Sequence, residues 1–135
     1  MAIKYVPHPK LILLCDYSKG GFIAPEMIKK RPAIVISPRL PHRDNLCSVI
    51  PLSTKEPNRN LKYVVCLEFD QLLPSPFNHQ TVWAKCDMVA TVSLERLSLF
   101  QTKRDQTGKR RYIKPKLEEQ DFARIKLAMH HAFGW

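Results

Sequence analysis

The sequence predicts a mostly β fold with a C-terminal helix: a small, strongly bent sheet or barrel plugged by that helix. Three observations carry the expectation. Short apolar runs rich in Val, Ile and Leu recur over residues 10–102, each bounded by Pro, Gly or polar clusters. After residue 117 the apolar period changes, and Phe122, Ile125, Met129, Ala132 and Phe133 recur at helical spacing. A chain of 135 residues has room for one core, and burying roughly 68% of its unfolded surface lets it fold without staples. Residues 1–135 are therefore read as one domain, with an N-terminal arm over 1–9 and the terminal helix over 117–133.

Each element has its own signal. Pro7 and Pro9 keep the arm extended. Residues 10–16 form a first strand, so continuously apolar that both faces are expected to be covered. Residues 17–28 hold Gly20, Gly21 and Pro25 and exceed a simple hairpin turn, which suggests a binding loop. Then comes Lys29-Lys30-Arg31-Pro32-Ala33-Ile34-Val35-Ile36-Ser37-Pro38. Pro32 lacks an N–H and suits a strand start, so three cations enter the sheet's end and the strand runs over about 32–37. A polar loop over 39–46 carries His42, Arg43 and Asp44, and a third strand covers 47–53, with Pro51 demoting its end to an edge or bulge. A turn over 55–60 leads to a fourth strand at 62–69. After a proline-bearing loop at 72–79, strands follow at 81–85 and 88–92. Ser93 caps a single helical turn over 93–96. Residues 97–102 and 110–113 flank a hairpin tip at 105–108, where Lys103-Arg104 and Lys109-Arg110-Arg111 read as a solvated basic cluster. Glu118, Glu119 and Asp121 suit the positive end of the helix dipole, and Gly134 stops the helix.

A net charge of +10 points to a polyanionic partner, nucleic acid first and an anionic membrane or acidic protein next, with a merely soluble basic surface as the alternative. No run reaches the roughly 18 apolar residues of a membrane helix, and the N-terminus has no signal pattern, so a cytoplasmic protein without membrane attachment is expected. Cys15, Cys47, Cys66 and Cys86 stand alone in or beside apolar runs, with no C-x-x-C pair; buried free thiols are expected, with no metal and no cofactor. The five histidines keep no fixed spacing, and only His42 lies in a loop expected near the basic triplet.

Several of these segments together resemble a family. Lys30-Arg31-Pro32 running into Ala33-Ile34-Val35-Ile36-Ser37, then Ser48-Val49-Ile50-Pro51-Leu52-Ser53, then Asp87-Met88-Val89-Ala90-Thr91-Val92-Ser93 closing on Arg96-Leu97, are similar to the PemK/MazF toxins of type II toxin–antitoxin systems. The resemblance covers roughly residues 10–133. It implies an SH3-like barrel of the CcdB/MazF type. It also implies a sequence-selective, metal-independent endoribonuclease that cleaves single-stranded RNA through its own 2′-hydroxyl, a homodimer, and a cognate antitoxin. Three departures stand out. Pro9-Lys10 replaces the family's Gly-acid strand start, Ser53 replaces the usual threonine, and Asp87-Met88-Val89-Ala90 replaces an acid-Gln-Ile-Arg run. The alternatives are a CcdB-like toxin that binds gyrase and a non-catalytic nucleic-acid-binding module.

The chemistry fits these residue types independently. Charge builds on the non-bridging phosphate oxygens in the transition state, so the site needs a cation and hydrogen-bond donors aimed at them. Arg31 supplies a bidentate phosphate fork and Ser53 a hydroxyl, with Thr54 and His42 as supporting candidates. Lys29, Lys30, Arg39, Arg43 and Lys85 are candidates to follow the RNA backbone, and Tyr17, Phe22 and Trp83 to stack unpaired bases.

Overall fold

In the computed structural model, which describes residues 2–102 and 104–135, the elements follow in the order the sequence predicts. Met1 of the arm and Lys103 of the basic cluster lie outside the described residues. The strands are β1 (Ile12–Asp16), β2 (Lys30–Val35), β3 (Leu46–Ser53), β4 (Val64–Glu68), β5 (Thr81–Lys85) and β6 (Ala90–Ser93). A 3-10 turn (Leu94–Arg96) leads to β7 (Leu97–Ser98), β8 (Phe100–Gln101), β9 (Tyr112–Ile113) and helix α1 (Glu119–Phe133). All strand pairs are antiparallel, in the order β4-β5-β3-β2-β1-β7, with β6 also on β3 and β8 on β9 apart.

β3 is the pivot. Leu46–Val49 pair with β6, while Leu52 and Ser53 pair with β5. Pro51 stands between the two pairings and is fully buried. The sequence suggests that Pro51 makes this strand end an edge or a bulge; instead Pro51 is buried inside β3 and marks where the strand changes partner from β6 to β5. After one 3-10 turn the chain passes from β6, on β3, to β7, on β1, so it curls round from the middle of the sheet back to its edge. The hydrogen-bonded ladder among the described residues does not close: the expected barrel is a tightly curled, open sheet.

Alternation along the central strands covers both faces, as the continuous apolar run predicts. Ile12, Ile34, Ile50 and Leu52 pack with Phe122, Ile125 and Ala128 of α1 and with Val65 and Leu67 of β4. Leu13, Cys15, Ala33, Val35, Cys47 and Val49 pack on the other face with Val92, Leu94 and Leu97. Each fully buried aliphatic side chain contributes about 1.5–3 kcal/mol relative to exposure. The helix ends where Gly134 takes a left-handed conformation (φ 70°) and donates its N–H to His130 O.

Two boundaries move for local reasons. The first strand starts at Ile12 rather than residue 10, because Lys10 sits at φ 78° and turns the chain. Its Nζ bonds Glu119 and approaches the Phe122 ring, which ties this turn to the start of α1. The expected strand over 97–102 splits in two, with Leu97 and Ser98 pairing with β1 and Phe100 and Gln101 with β9.

Candidate active site

Cross-strand register assembles the site. Cys15 on β1 pairs with Arg31 on β2. The β2–β3 pairing sets Ala33 opposite Pro51, and the same register continued by two residues sets Arg31 opposite Ser53. Ser53 in turn pairs with Trp83 on β5, and Trp83 with Cys66 on β4. Paired residues share a face. Leu97, Cys15, Arg31, Ser53, Trp83 and Cys66 therefore form one row across the sheet, on the face away from α1. It is buried at its Leu97–Cys15 end and open at Cys66. The two residues proposed from sequence as the catalytic pair are thus neighbours in this row, although 22 positions separate them in the chain.

Arg31 lies inside β2 rather than ahead of it, and is half-buried. Its Nε is enclosed and has no hydrogen-bond partner among the described residues. A guanidinium held this way has surrendered solvation without gaining a carboxylate, which is costly unless an anion completes it. Ser53 is 6% exposed, and its Oγ accepts from the N–H of Lys55 at 3.2 Å. That bond fixes the hydroxyl's position, and its own proton has no acceptor among the described residues. Thr54 follows it, exposed, at the start of the next loop. Lys29 and Lys30 are exposed beside Arg31, and Lys30 pairs across the strand with Asp16. Ser18 donates to Asp16 and holds its carboxyl below the usual carboxylate range, with Lys30 and Lys19 adding to the effect.

Other sequence candidates sit elsewhere. β2 and β3 are antiparallel, so the loop joining them emerges from the end of β2 away from Arg31. His42, Arg39 and Arg43 ride that loop, and His42 is therefore not near the Arg31–Ser53 pair as its position in sequence suggests. Arg39 is instead ion-paired with Asp44 at 2.8 Å. Tyr17 is 2% exposed and packs edge-on against Phe22, so a base cannot reach its ring. Burial pushes its hydroxyl far above the usual phenol range. Phe22 is half-buried, with the Arg96 guanidinium 4.7 Å from its ring centroid. Arg96 also donates to Asp16 O at 3.1 Å, to Gly20 O at 2.7 Å and to Lys19 O. Sequence reading gave it no such role. The clasp between residue 96 and residues 16–20 is a long-range contact with no local signature. Lys85 is half-buried and lies on the same face as the site row. The thiols divide. Cys15, Cys47 and Cys86 are buried, and burial pushes them up to about 11, about 11 and about 12. Cys66 is exposed, contrary to expectation, because it sits on the uncovered side of β4.

The fold and the row define a class: a small curled-sheet protein with a cationic, hydroxyl-bearing site on its open face. Residues 10–133 match the PemK-like, MazF-like toxin of type II toxin–antitoxin systems, and the chain belongs to that family. It is 32% identical over 121 residues to YifN, an uncharacterised protein of Escherichia coli K12, covering 77% of this chain and 80% of the relative. It also resembles an endoribonuclease from a mycobacterial species solved in complex with its cognate antitoxin, at TM-score 0.63, 14% identity and 96% coverage of both chains. The Mycobacterium tuberculosis toxin MazF-mt6 superposes at TM-score 0.59 with 19% identity, covering 92% of this chain and 96% of that one. At these identities the structural likeness concerns the fold.

Proposed function

We propose that this protein is the toxin of a type II toxin–antitoxin pair and a metal-independent, sequence-selective endoribonuclease acting on single-stranded RNA. The observation that carries the reading is half-buried Arg31, whose enclosed Nε has no partner among the described residues, set beside Ser53 on the face away from α1. Membership of the toxin family supports it.

In this reaction the 2′-hydroxyl passes its proton to solvent water as its oxygen bonds to the adjacent phosphorus. The bond from phosphorus to the 5′-oxygen breaks, and that oxygen takes up a proton from solvent water. Arg31 stabilises the charge on the non-bridging oxygens, and its fixed position saves reorganisation at the moment of reaction. A guanidinium carries five N–H donors and no acceptor, so the role of Arg31 is electrostatic. Ser53 donates a hydrogen bond from its hydroxyl to a phosphate oxygen and Thr54 supports it. Lys29, Lys30 and Lys85 guide the backbone. The protein acts as a cytoplasmic homodimer with RNA across the interface, and an antitoxin tail of acidic or apolar character covers the same face. Incubating the purified protein with a long single-stranded RNA in EDTA and mapping the new ends tests this. Discrete cleavage at a recurring sequence is expected; intact RNA would favour a protein-binding toxin.

A further inference from the structure

The row that holds Arg31 and Ser53 continues to Trp83, which catalysis as described does not use. Its neighbours Val82 and Ala84 point into the core beneath α1, so the Trp83 ring stands on the opposite, open face. It is half-buried there and lines two adjoining cavities, of about 300 and 460 Å³, roofed by the loop over 56–61. Lys55 and Lys85 border the first, and Arg59 borders the second.

We propose that Trp83 is the stacking platform for the unpaired base next to the phosphate held by Arg31, and that the groove under the 56–61 loop is the base-reading subsite. This rests on the RNA-cleaving reading above. Neighbouring strands lie about 4.8 Å apart, so Trp83 stands roughly 10 Å from Arg31 across Ser53, a span that one nucleotide bridges. An aromatic ring on an open sheet face is the common platform for unpaired bases, because every base has a π face. Cations on both sides of the ring suit a backbone that passes over it. Asn58 borders both cavities and Asp87 the first; an amide and a carboxylate are the groups that read base edges. The core does not need the ring, since its packing comes from the residues on either side.

The test uses Trp135→Phe protein, which leaves Trp83 as its one tryptophan. The probe is a single-stranded RNA blocked at its mapped cut site by 2′-O-methylation. Binding is expected to quench Trp83 emission, Trp83→Ala to weaken binding by roughly 5- to 100-fold, and Trp83→Phe to restore most of the loss. In strands carrying one abasic residue, moved position by position, a single position should erase the difference between wild type and Trp83→Ala. Three results would overturn the subsite while leaving the RNA reading intact: unchanged emission on binding, unchanged affinity in Trp83→Ala, or an equal loss on every abasic strand. A wild-type protein that neither binds nor cuts RNA overturns both.

Discussion

At the scale of single residues, Arg31 and Ser53 carry opposite balances of stability and function. Arg31 has an enclosed Nε without a partner among the described residues, so its side chain is not a stabilising element. Arg31→Ala is expected to change unfolding free energy by about 1 kcal/mol or less, read from urea melts, because the unsatisfied donor leaves with the side chain. Ser53 is buried and anchored to Lys55 N. Ser53→Ala should therefore keep the fold and lower the cleavage rate by about 10- to 1000-fold, whereas Ser53→Thr, which restores the residue usual in the family, should stay active. Equal rates for wild type and Ser53→Ala would remove the hydroxyl from the mechanism. The thiols make a second prediction. A thiol reagent at pH 8 should modify one cysteine per folded chain, Cys66, and all four after unfolding. Burial raises Cys15, Cys47 and Cys86 in the folded state, to about 11–12 from a usual value of 9.0. Their contribution to stability is therefore full below pH 9 and is lost as pH rises through 11–12. Arg31 and Ser53 could be named as candidates because the segments that hold them, a cation before a strand proline and a hydroxyl after Pro-Leu, resemble the family's; the strand register then sets the two side by side. Tyr17 is buried rather than available as a platform, because an aromatic at the start of a loop looks the same in sequence whether it faces solvent or packs in the core.

At the scale of elements, the loop over 17–28 is the informative case. Its length and its Gly20-Gly21 pair suggest a mobile flap, yet its first half is tied down. Arg96 gathers two of its backbone carbonyls, those of Lys19 and Gly20, together with that of Asp16 at the end of β1, and covers Phe22; Lys19 Nζ reaches Glu95 O at 2.9 Å, and Tyr17 is in the core. Residues 18–21 and 23–26 are exposed even so, and Ile23, just beyond the tied part, is 76% exposed. Arg96→Ala should cost about 2 kcal/mol and accelerate amide exchange across residues 17–22 more than in the strands; uniform exchange would show that the clasp is not what holds the loop. Most strands were legible because each is a short apolar run between turn residues. Pro51 was misjudged because a proline's effect depends on whether its N–H side faces a partner, which is a property of the sheet and not of the strand. His42 lies away from the pair for a related reason: its loop follows the far end of β2, whereas Arg31 stands at the near end.

For the molecule as a whole, a chain of net charge +10 carries the site row on the sheet face away from α1. Several phosphates should be neutralised on binding, so the log–log slope of RNA affinity against salt should be about −0.7 per phosphate; a flat dependence would point to a protein partner instead. The class and element order of the fold were readable from periodicity, but the change of partner along β3 and the groove roofed by residues 56–61 were not. Both depend on which strands meet, and pairing between distant segments leaves no periodic trace. The most direct test of the central claim is the initial rate on a short single-stranded RNA in EDTA, for wild type, Arg31→Ala and Arg31→Lys, with circular dichroism as the folding control. The account predicts cleavage by wild type, a loss of about 10²–10³-fold or more in Arg31→Ala, and poor rescue by lysine, whose point charge cannot replace the fork. A folded Arg31→Ala protein that cuts at the wild-type rate would contradict it.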